Sequence, residues 1–106
     1  MLEKYFAEQV EHLLNLYGWR WTHFEPAIRQ SGGWATALRG MKGLPDYVAV
    51  RDGRLVFAEI KSDRGKLTPD QAEWITRLQA VQTVRTEIWY PEDLPEIKHI
   101  LGRNGR

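Results

Sequence analysis

The sequence predicts a single α/β domain, a mixed sheet of about four strands flanked by helices in the order α-β-β-β-α-β-α. Three observations lead there. Leu2 to Tyr17 repeats apolar residues at helical spacing, residues 46–61 alternate in hydrophobicity on either side of an Asp-Gly pair, and a capped helix near residue 68 precedes another strand-like run. With 106 residues and a 42% hydrophobic composition, the chain can bury a core without cross-links.

The first helix places Phe6, Val10, Leu13, Leu14 and Tyr17 on one side, and Gly18 supplies its stop. Trp19 to Phe24 (WRWTHF) is aromatic and alternating, so it reads as a strand broken at Glu25-Pro26. Residues 29–43 (RQSGGWATALRGMKG) hold four glycines without a clear period, as a functional or unstructured loop does. Strands at about 46–51 and 54–61 form a hairpin around Asp52-Gly53. Thr68-Pro69-Asp70-Gln71 has the form of a capping box with proline in the first turn, opening a helix to about Gln82 with Ala72, Ile75 and Leu78 inward. Val84 to Tyr90 is the last strand. Pro91 ends it, and PEDLPEIKHIL makes a short helix ending at Gly102, with residues 102–106 a polar tail expected to fray.

Composition excludes some chemistry. The chain has no cysteine, so disulfides and thiolate metal sites are ruled out, and any metal must be held by oxygen or imidazole. No apolar run reaches membrane-spanning length and the N-terminus opens directly on the helix pattern, so a cytoplasmic protein is expected. Charge is unevenly spread: residues 29–66 carry eight basic and four acidic side chains, +4, against −2 for 1–28 and −1 for 67–106. Such a cluster is either a phosphate footprint or a solvated face.

The hairpin raises the chemical question. A two-residue Asp52-Gly53 turn pairs Arg51 with Arg54, Val50 with Leu55, Val48 with Phe57 and Asp46 with Glu59. Directly opposed side chains have Cβ atoms about 4.5–5.5 Å apart, and like charges there are destabilising. Lys61 shares the face of Glu59 and offsets part of this. Two convergent carboxylates beside a strand carbonyl also suit a hard divalent cation that keeps some of its water.

Pro45-Asp46, followed thirteen residues later by Glu59-Ile60-Lys61, resembles the PD-(D/E)xK signature of restriction-endonuclease-like nucleases. GLPDYVAV, the hairpin, FAEIKSDRGKLTPDQ and IWYPEDLPEI are similar to the virus-type replication-repair nuclease (VRR-NUC) domains, and the likeness spans nearly the whole chain outside residues 29–43. The resemblance implies a restriction-endonuclease-like core and a metal-dependent, structure-directed DNA endonuclease giving 5′-phosphate and 3′-hydroxyl ends. Asp46, Glu59 and the Ile60 carbonyl would hold Mg²⁺ or Mn²⁺, and Lys61 would orient or activate the attacking water. The implied substrate is branched or junction DNA, cut by a homodimer in the manner of a junction resolvase. The alternative class is a non-catalytic nucleic-acid-binding or docking subunit that kept this fold.

Seven further positions join the candidate site, some with two readings. Glu3 returns to nearly the azimuth of Val10, whereas Glu8 points about 160° away, so Glu3 is the expected third metal carboxylate; an acid favoured by the helix dipole is the other reading. Gln71 serves the capping box or aims inward at the catalytic group. His23 matches a histidine common in these domains and is a candidate substrate contact. Arg64 and Lys66, flanking Gly65, and Arg39 and Lys42 of the long loop are candidate phosphate contacts. His12 and His99 have no partner at metal-ligand spacing. Trp34 is a candidate base-stacking or packing residue.

Overall fold

The computed structural model describes residues 1–24, 27–28, 34–35 and 39–102, the pairs 27–28 and 34–35 in backbone alone. Helix α1 (Glu3–Leu16) leads into β1 (Arg20–His23), the short strands β2 (Ala27–Ile28) and β3 (Trp34–Ala35), and the hairpin β4 (Tyr47–Arg51) and β5 (Arg54–Ile60). Helix α2 (Pro69–Gln79), strand β6 (Val84–Trp89), a 3₁₀ turn (Pro91–Asp93) and helix α3 (Leu94–Leu101) complete it. The main sheet runs β1-β4-β5-β6, antiparallel except for the parallel β5–β6 pair. The expected α/β class and four-stranded mixed sheet are therefore present, and the helices and main-sheet strands follow the expected order, with β2 and β3 inserted between β1 and β4.

The hairpin follows from its turn. Asp52 and Gly53 both have positive φ, 49° and 77°, the twist that lets a two-residue loop join antiparallel strands without splaying them. That turn sets Arg51 against Arg54 and carries the register through Val48 and Phe57 to Tyr47 and Ala58, as the sequence predicts. Alternation sends Tyr47, Ala49, Val56, Ala58 and Ile60 to one face, where α1 and α3 bury them with Phe6, Val10, Leu14, Trp89, Ile97 and Leu101. Helix α2 covers the opposite face against β6, through Ile75 and the buried Thr86. Its start is the predicted capping box: Thr68 accepts from the Gln71 backbone while the Gln71 side chain accepts from the Thr68 backbone.

Two expectations change. The stretch 29–43 is not wholly a loop, because β3 lies within it and pairs with β2; a two-residue ladder is too short to show alternation. The Trp34 side chain lies outside the described residues, as do residues 103–106 of the expected tail. Gly102 is not frayed: its N–H donates to Lys98 (2.9 Å) and its carbonyl accepts from Arg51 (3.0 Å).

The hairpin tip also corrects the charge reading. Arg51 donates to the carbonyls of Tyr17 and Leu101, 2.9 Å each, as well as to Gly102, and Arg54 donates to Ile100. Both guanidinium groups lie over the Trp19 ring, 4.9 and 5.0 Å from its centre, while the Trp19 indole donates to Leu101 (2.8 Å). These two cations therefore cap the carbonyl ends of α1 and α3, where the helix dipoles favour positive charge, a structural role that neither reading of the charge cluster included. Arg51→Ala removes three hydrogen bonds, leaving the Tyr17 and Gly102 carbonyls without that donor and the Leu101 carbonyl with Trp19 alone, and should lower stability by ~3 kcal/mol. Arg51→Lys, lacking the planar fork, should recover little of it in a urea melt. A loss under ~1 kcal/mol would show that these bonds are interchangeable with water.

Candidate active site

The hairpin register, continued one pair beyond the Tyr47–Ala58 end of its ladder, brings Asp46 opposite Glu59. Each is fixed by backbone. The Phe24 N–H donates to the Asp46 carbonyl (2.7 Å), so β1 holds its main chain, and the Asp46 carboxylate accepts from the Ile60 N–H (3.1 Å). Glu59 lies in the β5 interior and is only 2% exposed. Its Oε2 accepts from Gln71 Nε2 at 3.2 Å and stands 3.5 Å from Lys61 Nζ. Its Oε1 is buried with no hydrogen-bond partner.

Gln71 joins both of its expected roles. Its Oε1 accepts from Lys61 Nζ (3.0 Å) and from the Thr68 N–H (2.9 Å). Because an ammonium and a backbone amide can only donate, the amide oxygen must face them and the NH₂ must face Glu59, which settles its orientation. The capping box that starts α2 thus also fixes the ammonium of Lys61, a side chain only 14% exposed, beside the carboxyl of Glu59.

Burial raises the Glu59 carboxyl from its ordinary 4.5 to about 7, the Asp46 carboxylate beside it adds to the rise, and Lys61 pulls the other way. Desolvation disfavours the ionised form and a neighbouring like charge disfavours it further.

These groups line a cleft of about 560 Å³ whose opposite wall is α1. Glu3 faces this cleft as expected, but so does Glu8, which the sequence reading turned away from the site. Lys4, Ala7, Glu8 and Glu11, spaced as one helical stripe, form the wall. The stripe lies to the side of the buried face marked by Val10, so the core azimuth was the wrong reference for it. Glu11 is a cleft residue that pattern reasoning missed: it accepts from the Tyr47 hydroxyl and lies 3.4 Å from His23 Nδ1. The His23 and Tyr47 rings, paired across β1 and β4, stack 4.1 Å apart. No sequence spacing connects Glu11 to either, since the contact forms only when α1 packs on the sheet.

Among the described residues, no group of three or more His, Cys, Asp or Glu side chains stands close enough to hold a metal ion. Glu3 shares the cleft without closing a three-acid ligand set. Asp46, the unpartnered Glu59 oxygen and a strand carbonyl still fit a hard divalent cation that retains several waters.

Arg64 and Lys66 are exposed on the turn after β5, where the Gly65 carbonyl accepts from the Tyr90 hydroxyl (3.3 Å). Arg39 and Lys42 are exposed on the segment leading to Asp46, with Lys42 3.6 Å from Asp70. A second cavity, about 750 Å³, surrounds the hairpin tip at the other end of β5 and contains Arg51, Arg54 and Arg85. These guanidinium groups are already bonded, to helix carbonyls or to Glu87, so this cavity is the weaker candidate. No protein-family model, curated protein or solved structure matches the chain.

The raised Glu59 carboxyl makes stability depend on pH. Between 4.5 and about 7 the folded chain binds more protons at this group than the unfolded chain does, so this term weakens the fold as pH rises through that window and is constant above it. The loss amounts to ~3 kcal/mol. Urea melts in EDTA should show it for the native chain, and Glu59→Gln should flatten the profile and raise stability at pH 8. A Glu59→Gln profile parallel to the native one would assign the pH dependence to other groups.

Proposed function

We propose that this domain is a metal-dependent DNA endonuclease of the VRR-NUC type, hydrolysing phosphodiester bonds in structured DNA such as junctions. One observation carries the reading. Asp46, Glu59 and Lys61 meet in a cleft, at a cost in repulsion and burial that a scaffold does not need, and one Glu59 oxygen is left without a partner. The motif and order of elements in the sequence support the same reading.

Asp46, Glu59 and the Ile60 carbonyl would hold Mg²⁺ or Mn²⁺, and Glu3 lines the same cleft. When bound, the cation supplies Lewis acidity to the phosphate and to its attacking water. The other work falls to the chain. Lys61, held by the Gln71 carbonyl, keeps a compact positive charge where a phosphate oxygen or nascent hydroxide would sit. Gln71 aims that ammonium and keeps the Glu59 carboxyl in place. His23, stacked on Tyr47 and 3.4 Å from Glu11, lines the same cleft from β1 as a candidate substrate contact. Arg64 and Lys66 would neutralise phosphates on either side of the scissile bond without reading bases. Two copies about a two-fold axis would present two such clefts to a four-way junction, which is the homodimer this reading expects.

Purified protein incubated with junction, flap and linear DNA, in Mg²⁺ or in EDTA, tests the assignment. Asp46→Asn and Glu59→Gln should abolish cleavage with stability unchanged or raised, because each amide keeps an acceptor while removing a repelling charge. Lys61→Ala should abolish cleavage while retaining metal binding by calorimetry. Native rates in all three would remove the assignment, and binding without cleavage by the native chain would favour a docking subunit.

Affinity should follow the exposed cations. Arg64→Ala and Lys66→Ala should each weaken binding alike for all sequences and lower the slope of log K against log salt by about 1. Unchanged slopes would make them a solvated face.

A further inference from the structure

Residues 39–45 lead directly into Asp46 and are anchored more firmly than two glycines suggest. The Trp74 indole of α2 donates to the carbonyls of both Met41 (3.2 Å) and Lys42 (3.0 Å). Gly43, at φ 100°, lies so close to the first turn of α2 that a Cβ there would stand 2.6 Å from the Asp70 carbonyl carbon and 2.8 Å from the Gln71 nitrogen. Pro45 is fully buried. Only glycine permits both that φ and that approach. The helical turn that seats Gly43 also carries Gln71, whose side chain touches Glu59 and Lys61, so the segment is in register with the cleft.

At its tip Met41 is 85% exposed, with Arg39 and Lys42 exposed beside it. An isolated exposed apolar residue on a loosely tethered loop needs no explanation. Here the thioether is held out from a pinned backbone between two cations. The Lys42–Asp70 pair joins two exposed groups and is weak enough to exchange for a phosphate.

We infer that segment 39–45 is a DNA-unstacking tip, in which Met41 enters between bases at a disrupted step while Arg39 and Lys42 hold the flanking phosphates. The inference rests on the nuclease reading of the cleft and names what selects the substrate. An unbranched, polarisable side chain adapts to a base face, and apolar wedges of this kind open steps that are already weakly stacked. A junction or nick offers such a step and an intact duplex does not. Met41 precedes Asp46 by five residues, a span of at most ~17 Å at ~3.5 Å per residue. At ~3.4 Å per nucleotide along a strand, incision falls within about five nucleotides of the opened step.

The test uses the full chain carrying Asp46→Asn, with a four-way junction and a linear duplex containing 2-aminopurine at the branch or mid-duplex. Fluorescence reports unstacking, and anisotropy reports affinity. Binding should raise fluorescence at the branch. Adding Met41→Ala should abolish that rise and lower the preference for junction over duplex about tenfold, with an unchanged salt slope, while Met41→Leu keeps both. A Met41→Ala protein that retains rise and preference overturns the inference, as does a junction bound with no rise. Absence of binding to either DNA overturns both readings. A Met41-dependent rise alongside no metal-dependent cleavage by the native chain sinks the nuclease reading alone.

Discussion

Asp46 and Glu59 are opposed because the register of their hairpin allows no other arrangement. The Asp-Gly turn and the buried alternation of β4 and β5 fix the hairpin register, since a slip of one residue would turn Val56, Ala58 and Ile60 away from α1 and α3. With the register set, the two carboxylates must meet. Around them lie the groups that make this tolerable: the Ile60 N–H on Asp46, and the Gln71 amide and Lys61 ammonium on Glu59. These offsets are incomplete, as the buried, unpartnered Glu59 oxygen shows.

The other end of the same hairpin is clamped. There the tip arginines and Trp19 tie the turn to the carbonyl ends of α1 and α3 with well-formed, charge-assisted bonds. One supersecondary unit therefore carries its repulsive cluster and a hydrogen-bonded tertiary clamp at opposite ends of β5. The clamp can hold the register while the acidic end stays under electrostatic strain. Helix α2 serves the acidic end in the complementary way, because its capping residue Gln71 is both a folding device and the group that orients Lys61.

Much of this was legible in sequence because it depends on short-range rules. A turn with two positive φ angles, period-two alternation and a Thr-x-x-Gln cap are local, and they place Asp46, Glu59, Lys61 and Gln71 without knowledge of the packing. What was not legible depends on how elements meet. The cleft wall of α1 is the stripe containing Glu8 and Glu11, set by how that helix packs on the sheet and not by its most buried azimuth. Arg51 and Arg54 looked like solvent-facing or phosphate-binding charge until the ends of α1 and α3 were seen beside them. The β2–β3 ladder was too short to leave a periodic trace.

The way α2 is used also explains why a small domain can hold this strained charge cluster without a large core around it. Its first turn has three simultaneous neighbours: Thr68 through the cap, Gly43 through a backbone approach that admits no side chain, and the Glu59–Lys61 pair through one amide. Displacing that turn would break all three at once, so their costs act together against any motion that loosens the cleft. A helix terminus, ordinarily the frayed part of a helix, is thereby held on three sides beside the cleft. Gln71 can then hold an ammonium beside an acid of raised pKa, and neither depends on a mobile side chain for its alignment.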